Sequence, residues 1–287
     1  MLPDGFREYY QQRSKNIREN YRTAIHYFSE DGIHDLRVEI KRLRAFYKLV
    51  NWINQNFKAK KRLKPIRQLF KAVGEIRDMH VLQNIVRDKS GQEKLSIHEF
   101  YNLLKHRELQ ARDDFYKGYK NFDLNILDQN LSLIETALCI IDYEYISHKM
   151  HQRLDKMIRE LIDFKNHPEL EEADLHKIRI LCKESRYVLE IIRTTEEEDE
   201  KFKILNNKMR AVHQALGKWH DYDVCLLTLK QAMDDETFQI SDSASYQKFA
   251  AILESEKAEY ISQFEKRWQD FMSESAQLNL GNSAQNR

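Results

Sequence analysis

Turn-forming residues are scarce in this chain, with 7 Gly and 3 Pro among 287 residues. Sheet proteins of this size need many tight turns, and those turns draw on Gly and Pro. The shortage excludes an all-β fold and argues against a doubly wound α/β one. Long hydrophobic runs are also missing. The longest, Ala137–Ile141 and Phe249–Leu253, are five residues each, against roughly 20 for a membrane span. The opening MLPDGFREYY has no apolar signal-peptide core. Cys139, Cys182 and Cys225 form no C-x-x-C pair. An odd set of isolated thiols fits a reducing cytoplasm, the expected location. No G-x-G-x-x-G, P-loop or G-x-S-x-G motif occurs.

What the chain does contain is enough to fold. Apolar residues make up 41% and charged ones 32%, with 14 Tyr, 14 Phe and 3 Trp. That composition buries a core and is too apolar for a disordered polyelectrolyte. Helical periodicity runs from end to end. Leu36, Ile40, Leu43, Tyr47 and Val50 fall on one helical face. A first helix is expected from Asp4 to Phe28, with a break at Ser29–Gly32. Further helices are expected at about 58–88, broken near Lys89–Gly91, and at about 93–117. A long stretch at about 124–165, with a possible break, should end before Pro168. Helices at about 174–193, 202–234 and 243–273 follow. The fold class is all-α.

Charge is balanced overall, with 47 basic and 46 acidic residues, yet locally polarised. Between His34 and Lys71 twelve basic residues face two acids, Asp35 and Glu39, a net +10. The compensating acids gather at Glu169–Asp174 and Glu196–Glu200. A concentrated positive field implies an anionic partner.

That field coincides with an internal repeat. HDLRVEIKRLR at 34–44 and HKIRILCKESR at 176–186 share H-x2-R-x3-K-x2-R at an offset of 142. AVGEIRDMHV at 72–81 and ALGKWHDYDV at 215–224 match at an offset of 143. Two blocks in the same order point to a duplication. On a helix, His34, Arg37, Lys41 and Arg44 lie within about 80° of one another, opposite the Leu36/Ile40/Leu43 stripe. His176, Arg179, Lys183 and Arg186 do the same. The next helix of the first copy aligns Lys64, Arg67 and Lys71 with Gly74 and Asp78. The second copy keeps Arg210, Gly217 and Asp221. Each unrelieved pair of like charges costs about 0.2–0.5 kcal/mol, so such stripes invite a neutralising anion. Asp78 and Asp221 read as supporting carboxylates that orient the cations. Gly74 and Gly217 permit either close helix packing or close approach of a ligand. His34 and His176 are expected to begin their helices, where free N–H groups favour anions.

These residues resemble the CHAD family, whose hallmark is a doubled H-x2-R-x3-K-x2-R helix, each copy followed by a helix with LG-x2-[RH]D. The resemblance covers about 4–273. It implies two pseudo-symmetric four-helix bundles in one domain over 1–287, with halves 1–120 and 121–275 and a polar tail at 276–287. It also implies a non-catalytic binding module for inorganic polyphosphate, held in a groove between the bundles. The implied contacts are His34, Arg37, Lys41, Arg42, Arg44, Lys48, Lys64, Arg67, Lys71, His176, Arg179, Lys183, Arg186 and Arg210. Phosphate or sulfate would be stand-ins for that polyanion, and association with polyphosphate granules is a further expectation. Neither cofactor, metal nor membrane is expected. Glu184 and Ser185 depart from the pattern, standing where the first copy has Arg42 and Leu43, which implies a weaker second half. Some family members carry a triphosphate tunnel domain marked by E-x-E-x-K; Glu198-x-Glu200-x-Phe202 lacks the lysine.

Three other readings compete, the first a purely structural interaction or granule-associated protein. Nucleic acid could use the same face, but exposed aromatics between the cations would then be expected. Phe46, Tyr47, Trp52, Phe57 and Phe70 fall mostly off the stripe. The dyads His34–Asp35 and His220–Asp221 resemble those of metal-dependent HD phosphohydrolases, yet no further His and Asp are marked. The pairs His148/His151 and His213/His220 lack a third ligand at short spacing.

Overall fold

The computed structural model describes residues 4–167, 169–196 and 199–277. Pro168, Glu197, Glu198 and all but the first two positions of the expected tail lie outside the described residues. Among the described residues there is no strand. The helices are α1 (Asp4–Tyr27), α2 (Glu30–Ile53), α3 (Ala59–Arg62), α4 (Lys64–Glu93) and α5 (His98–Tyr119). Then follow α6 (Ile126–Leu138), α7 (Tyr143–Asp163), α8 (Glu172–Thr195), α9 (Glu200–Met233) and α10 (Ser243–Gln277).

Local chemistry sets the boundaries, in places against expectation. The first break is narrower than Ser29–Gly32. Phe28 turns the chain with φ 49°, and Ser29 Oγ accepts the Gly32 N–H at 3.2 Å, so Gly32 already belongs to α2. Gly91 does not end α4; a lone glycine costs only about 1 kcal/mol in a helix, and Lys94, at φ 54°, supplies the left-handed cap. The 124–165 stretch breaks at Cys139–Asp142, where Asp142 caps α7 by accepting the Tyr145 N–H at 2.8 Å. A reciprocal box of Glu171 and Asp174 starts α8. The helix at 58–88 divides into α3 and α4, with Pro65 in the first turn of α4.

Helices α1, α2, α4 and α5 pack consecutively, and α7, α8, α9 and α10 repeat that order. The two sets join where α2 meets α7 and α8, and α1 meets α8. The spaced aromatics of α1 pack within the first set, where Phe6, Tyr9 and Tyr10 ring Phe46 of α2 at 5.4–5.8 Å. Apolar burial does not divide at the sequence midpoint. One core holds α1, α2, α6, α7, α8 and the first parts of α4 and α9, with Phe264, Trp268 and Phe271 of α10. A second core joins the far ends of α4 and α9 to the near ends of α5 and α10. The reason is length. At 30 and 34 residues, α4 and α9 run about 45 and 51 Å. They overrun the 24-residue α2 and α8 and bury their distal faces against each other.

Candidate functional site

Burial of the apolar side of α2 fixes where its cations point. Leu36, Ile40 and Leu43 are fully buried, which turns Arg37, Lys41 and Arg44 toward α4 and α8. Arg37 Nη1 donates to the Phe70 carbonyl of α4 at 3.3 Å, and its Nη2 lies 4.0 Å from Asp78 Oδ1. The Phe70 ring carries two guanidinium groups, with Arg37 Cζ 4.4 Å and Arg44 Cζ 4.8 Å from its centroid. Gly74 completes the fit: a Cβ there would stand 2.3 Å from Arg37 Nη1. Its role is close packing, of an arginine against α4. Gly217 has nothing within 4 Å of a Cβ position, so packing does not require it.

The cations of the two copies share one electrostatic environment. Burial, followed by Arg37 and then Lys183 and Arg179 of α8, pushes the Lys41 ammonium down to about 7. Burial also brings Lys183 down to about 8; Glu184 opposes this, while Arg179, Arg44 and Lys48 reinforce it. His213 of α9 is driven down to about 3 by burial and by Arg179, Arg186, Lys183 and Lys41, so it is neutral. Burial lowers Arg179 against the pull of Asp221 and Asp78, and its Nε is buried with no hydrogen-bond partner. Burial raises Asp221 despite Arg179 and Lys218. Between α2, α4 and α8 lies a cavity of about 80 Å³ lined by Lys41, Arg44, Ala45, Lys48, Phe70, Lys183, Glu184 and Tyr187.

Other expected contacts sit differently. Arg42 is held by carboxylates, with Nη1 2.6 Å from Glu39 and Nε 3.1 Å from Glu190 of α8. Being one residue off the stripe, it faces the α1–α8 seam rather than the cavity. Lys48 lines the cavity but pairs with Glu184 across the seam. The departure of the second copy from the pattern is thereby explained: Glu184 fastens the halves, and Ser185 is fully buried. His34 and His176 lie a full turn inside α2 and α8 and do not begin them. Both are exposed, and His176 stands 6.0 Å from the His220 ring. Lys64 and Arg67 line a larger neighbouring cleft. Lys71 is exposed on α4. Arg210 is exposed on α9 beside Arg186, whose Nε donates to Asn206 at 3.4 Å.

Sequence reasoning overlooked Phe70 and His213 as site residues. A signal was present: each stands three residues after Arg67 or Arg210, at the same 143-residue offset. Phe70 offers Arg37 and Arg44 a ring face, and His213 lies among Arg179 and Arg186, a neutral ring in the matching place. Tyr187, on the cavity wall, had no such marker. Among the described residues, no three His, Cys, Asp or Glu side chains come together in a way that could hold a metal ion. His151, for one, is paired with Glu196 at 2.8 Å and stacked on Phe202.

Fold and site together define an all-helical protein whose two helical sets enclose a cation-lined cavity. The chain belongs to the CHAD domain family, whose model matches residues 8–230. The crystal structure of the CHAD domain from the plant Ricinus communis is similar at 18% identity and a TM-score of 0.67, covering 97% of this chain and 92% of that one. PptA from Streptomyces chartreusis is similar at 14% identity and a TM-score of 0.67, covering 93% and 99%. Those identities speak to the fold alone. No curated protein sequence matches this chain. Among the described residues, no helix is long and apolar enough to cross a membrane.

Proposed function

We propose that this protein binds inorganic polyphosphate electrostatically, in the cytoplasm, without hydrolysing it. The observation that carries the reading is the gathering of Lys41, Lys183, Arg179 and Arg37 from two helices in one half-buried space, where burial first, and then Arg37, Lys183 and Arg179, push Lys41 down to about 7. Concentrating like charge in a half-buried cleft is costly unless an anion relieves it. A linear polyphosphate has neither base nor sugar to read, so rows of Arg and Lys at helical spacing suit it. The central cavity, at about 80 Å³, holds few waters. Lys41 and Lys183 therefore swing aside on their flexible stems to admit the chain. Asp78 and Asp221 act as orienting carboxylates and not as bases. Attachment to polyphosphate granules follows from the same chemistry.

The test is a titration with medium-chain polyphosphate at several salt concentrations, with single-stranded DNA as competitor, and an orthophosphate assay with Mg²⁺ or Mn²⁺. Saturable binding that weakens steeply with salt, resists DNA and releases no phosphate is expected. A flat salt response or preferred binding of DNA would sink the reading. Metal-dependent phosphate release abolished by Asp221→Asn would replace it with an enzyme.

A further inference from the structure

The elbow between α2 and α4 forms a concavity far larger than the central cavity. It encloses about 1050 Å³ and is walled by the 3-10 turn Gln55–Phe57, α3, the start of α4 and one residue of α7. Five lysines between Lys48 and Lys64, together with Arg67 and Arg153, line it, and no carboxylate does. Apart from Lys48, none of those lysines is neutralised by an ion pair among the described residues.

Trp52 gives the elbow a built wall. Arg153 Cζ and Lys156 Nζ, both from α7, each lie 5.4 Å from its ring centroid. Arg153 and one further cation, Lys156, are thereby held in place from α7. The Trp52 Nε1 is buried with no hydrogen-bond partner, an unmet donor beside the cleft. Arg67 Nη2 donates to the Lys60 carbonyl at 3.3 Å, tying α3 to α4. Lys48 borders both this cleft and the small central cavity, so the two spaces adjoin.

We infer that the elbow is a second station on the polyanion's path, engaged only by chains long enough to pass Lys48, and that it sets a preference for long over short polyphosphate. The inference rests on the polyphosphate reading above and adds the division of labour. His34 to Lys48 spans about 21 Å along α2 at 1.5 Å per residue, a length that a tripolyphosphate does not exceed. A long chain emerging past Lys48 meets the α3 lysines next.

The experiment compares tripolyphosphate with long-chain polyphosphate on wild type and on Lys60→Glu/Lys61→Glu, two exposed positions away from the cores. The double variant should bind long chains about tenfold or more weakly and flatten the plot of log K against log salt by about 2. Its affinity for tripolyphosphate and its melting midpoint should stay within about twofold and about 1 °C of wild type, since surface changes usually act within ±0.5 kcal/mol. Arg153→Gln should lower long-chain affinity in the same selective way. Unchanged long-chain binding in both variants, or an equal loss for both lengths, would overturn the second station and leave the central site standing. Failure of wild type to bind either length would instead remove the polyphosphate reading itself.

Discussion

The two halves carry the same stripe in different surroundings. Residues 34–71 hold a net +10, whereas residues 176–214 hold nine basic residues against seven acids, a net +2. The first half has the lysine-rich elbow where the second has the acidic connection Glu196–Glu200. Two of the second half's acids, Glu184 and Glu190, reach across to Lys48 and Arg42. Glu190 also takes Arg13 of α1 at 3.1 Å. Acid on one half thus fastens the lateral cations of the other, and among the described residues leaves Lys41, Arg44, Arg179 and Lys183 of the stripe without an ion pair, while Arg37 approaches only Asp78. An anion site can be built this way without the halves repelling one another. The ring near the arginines differs as well: Arg37 and Arg44 lie over Phe70 in one half, and His213 feels Arg179 and Arg186 in the other. Both remain neutral.

Charge reversal tests this comparison most severely. Arg37→Glu/Lys41→Glu and Arg179→Glu/Lys183→Glu should each cost about 3–6 kcal/mol of polyphosphate affinity, since charge-assisted bonds contribute about 1.5–3 kcal/mol apiece. Similar losses mean one shared site. A second-half variant that binds as wild type would confine the site to the first half.

Next in size is the seam. Glu190→Gln leaves Arg13 and Arg42 short of a carboxylate and should destabilise the protein by about 1–3 kcal/mol, read by denaturant unfolding. Polyphosphate affinity should hold or rise, because Arg42 is released. A fall in affinity with no loss of stability would place Glu190 in the site rather than in the seam.

The pH response separates the two lysines. Unliganded Lys41 titrates near 7 and Lys183, held up by Glu184, near 8. A bound anion favours the ammonium and raises both values, so binding takes up protons. Affinity is full below about pH 7 and falls as pH rises through the free values toward the bound ones. Unliganded stability moves the opposite way. Between about pH 7 and pH 10 the unfolded chain, with ordinary lysines, binds more protons than the folded one, so stability rises with pH. Calorimetric titration in buffers of different ionisation enthalpy, alongside melting scans, reads both trends. Lys41→Arg should remove the lower part of the binding response; its persistence would transfer that response to another group.

The smallest effects come from the paired glycines. Gly217→Ala, with open space around the added methyl, should stabilise by up to about 1 kcal/mol through helix propensity. Gly74→Ala drives Arg37 off α4, and should weaken binding by a few fold while gaining no comparable stability. Equal behaviour of the two variants in melting and titration would show that Arg37 does not need its place against α4.

Much was legible without coordinates. Scarce Gly and Pro with 3.6-residue periodicity fixed the all-α class, because local propensity and the apolar stripe of α2 agree. The repeat and its spacing marked Arg37, Lys41, Arg179 and Lys183, since one helix face is a one-dimensional pattern. Partnership across helices was not legible. The stripe sets Arg44 apart from Arg42, but nothing in the sequence names the partners: Glu39 and Glu190 for Arg42, the Phe70 ring for Arg44. Lys58, Lys60 and Lys61 counted toward a charge total, but only the fold made them the wall of a cleft with Arg153 from α7. The sequence alone determined which helices form and which faces carry charge, for those follow from neighbours three and four residues apart. The tertiary structure decided which cations meet a carboxylate, which meet one another, and where the cores lie, because those depend on contacts more than a hundred residues apart, such as Arg42 with Glu190 and Lys48 with Glu184.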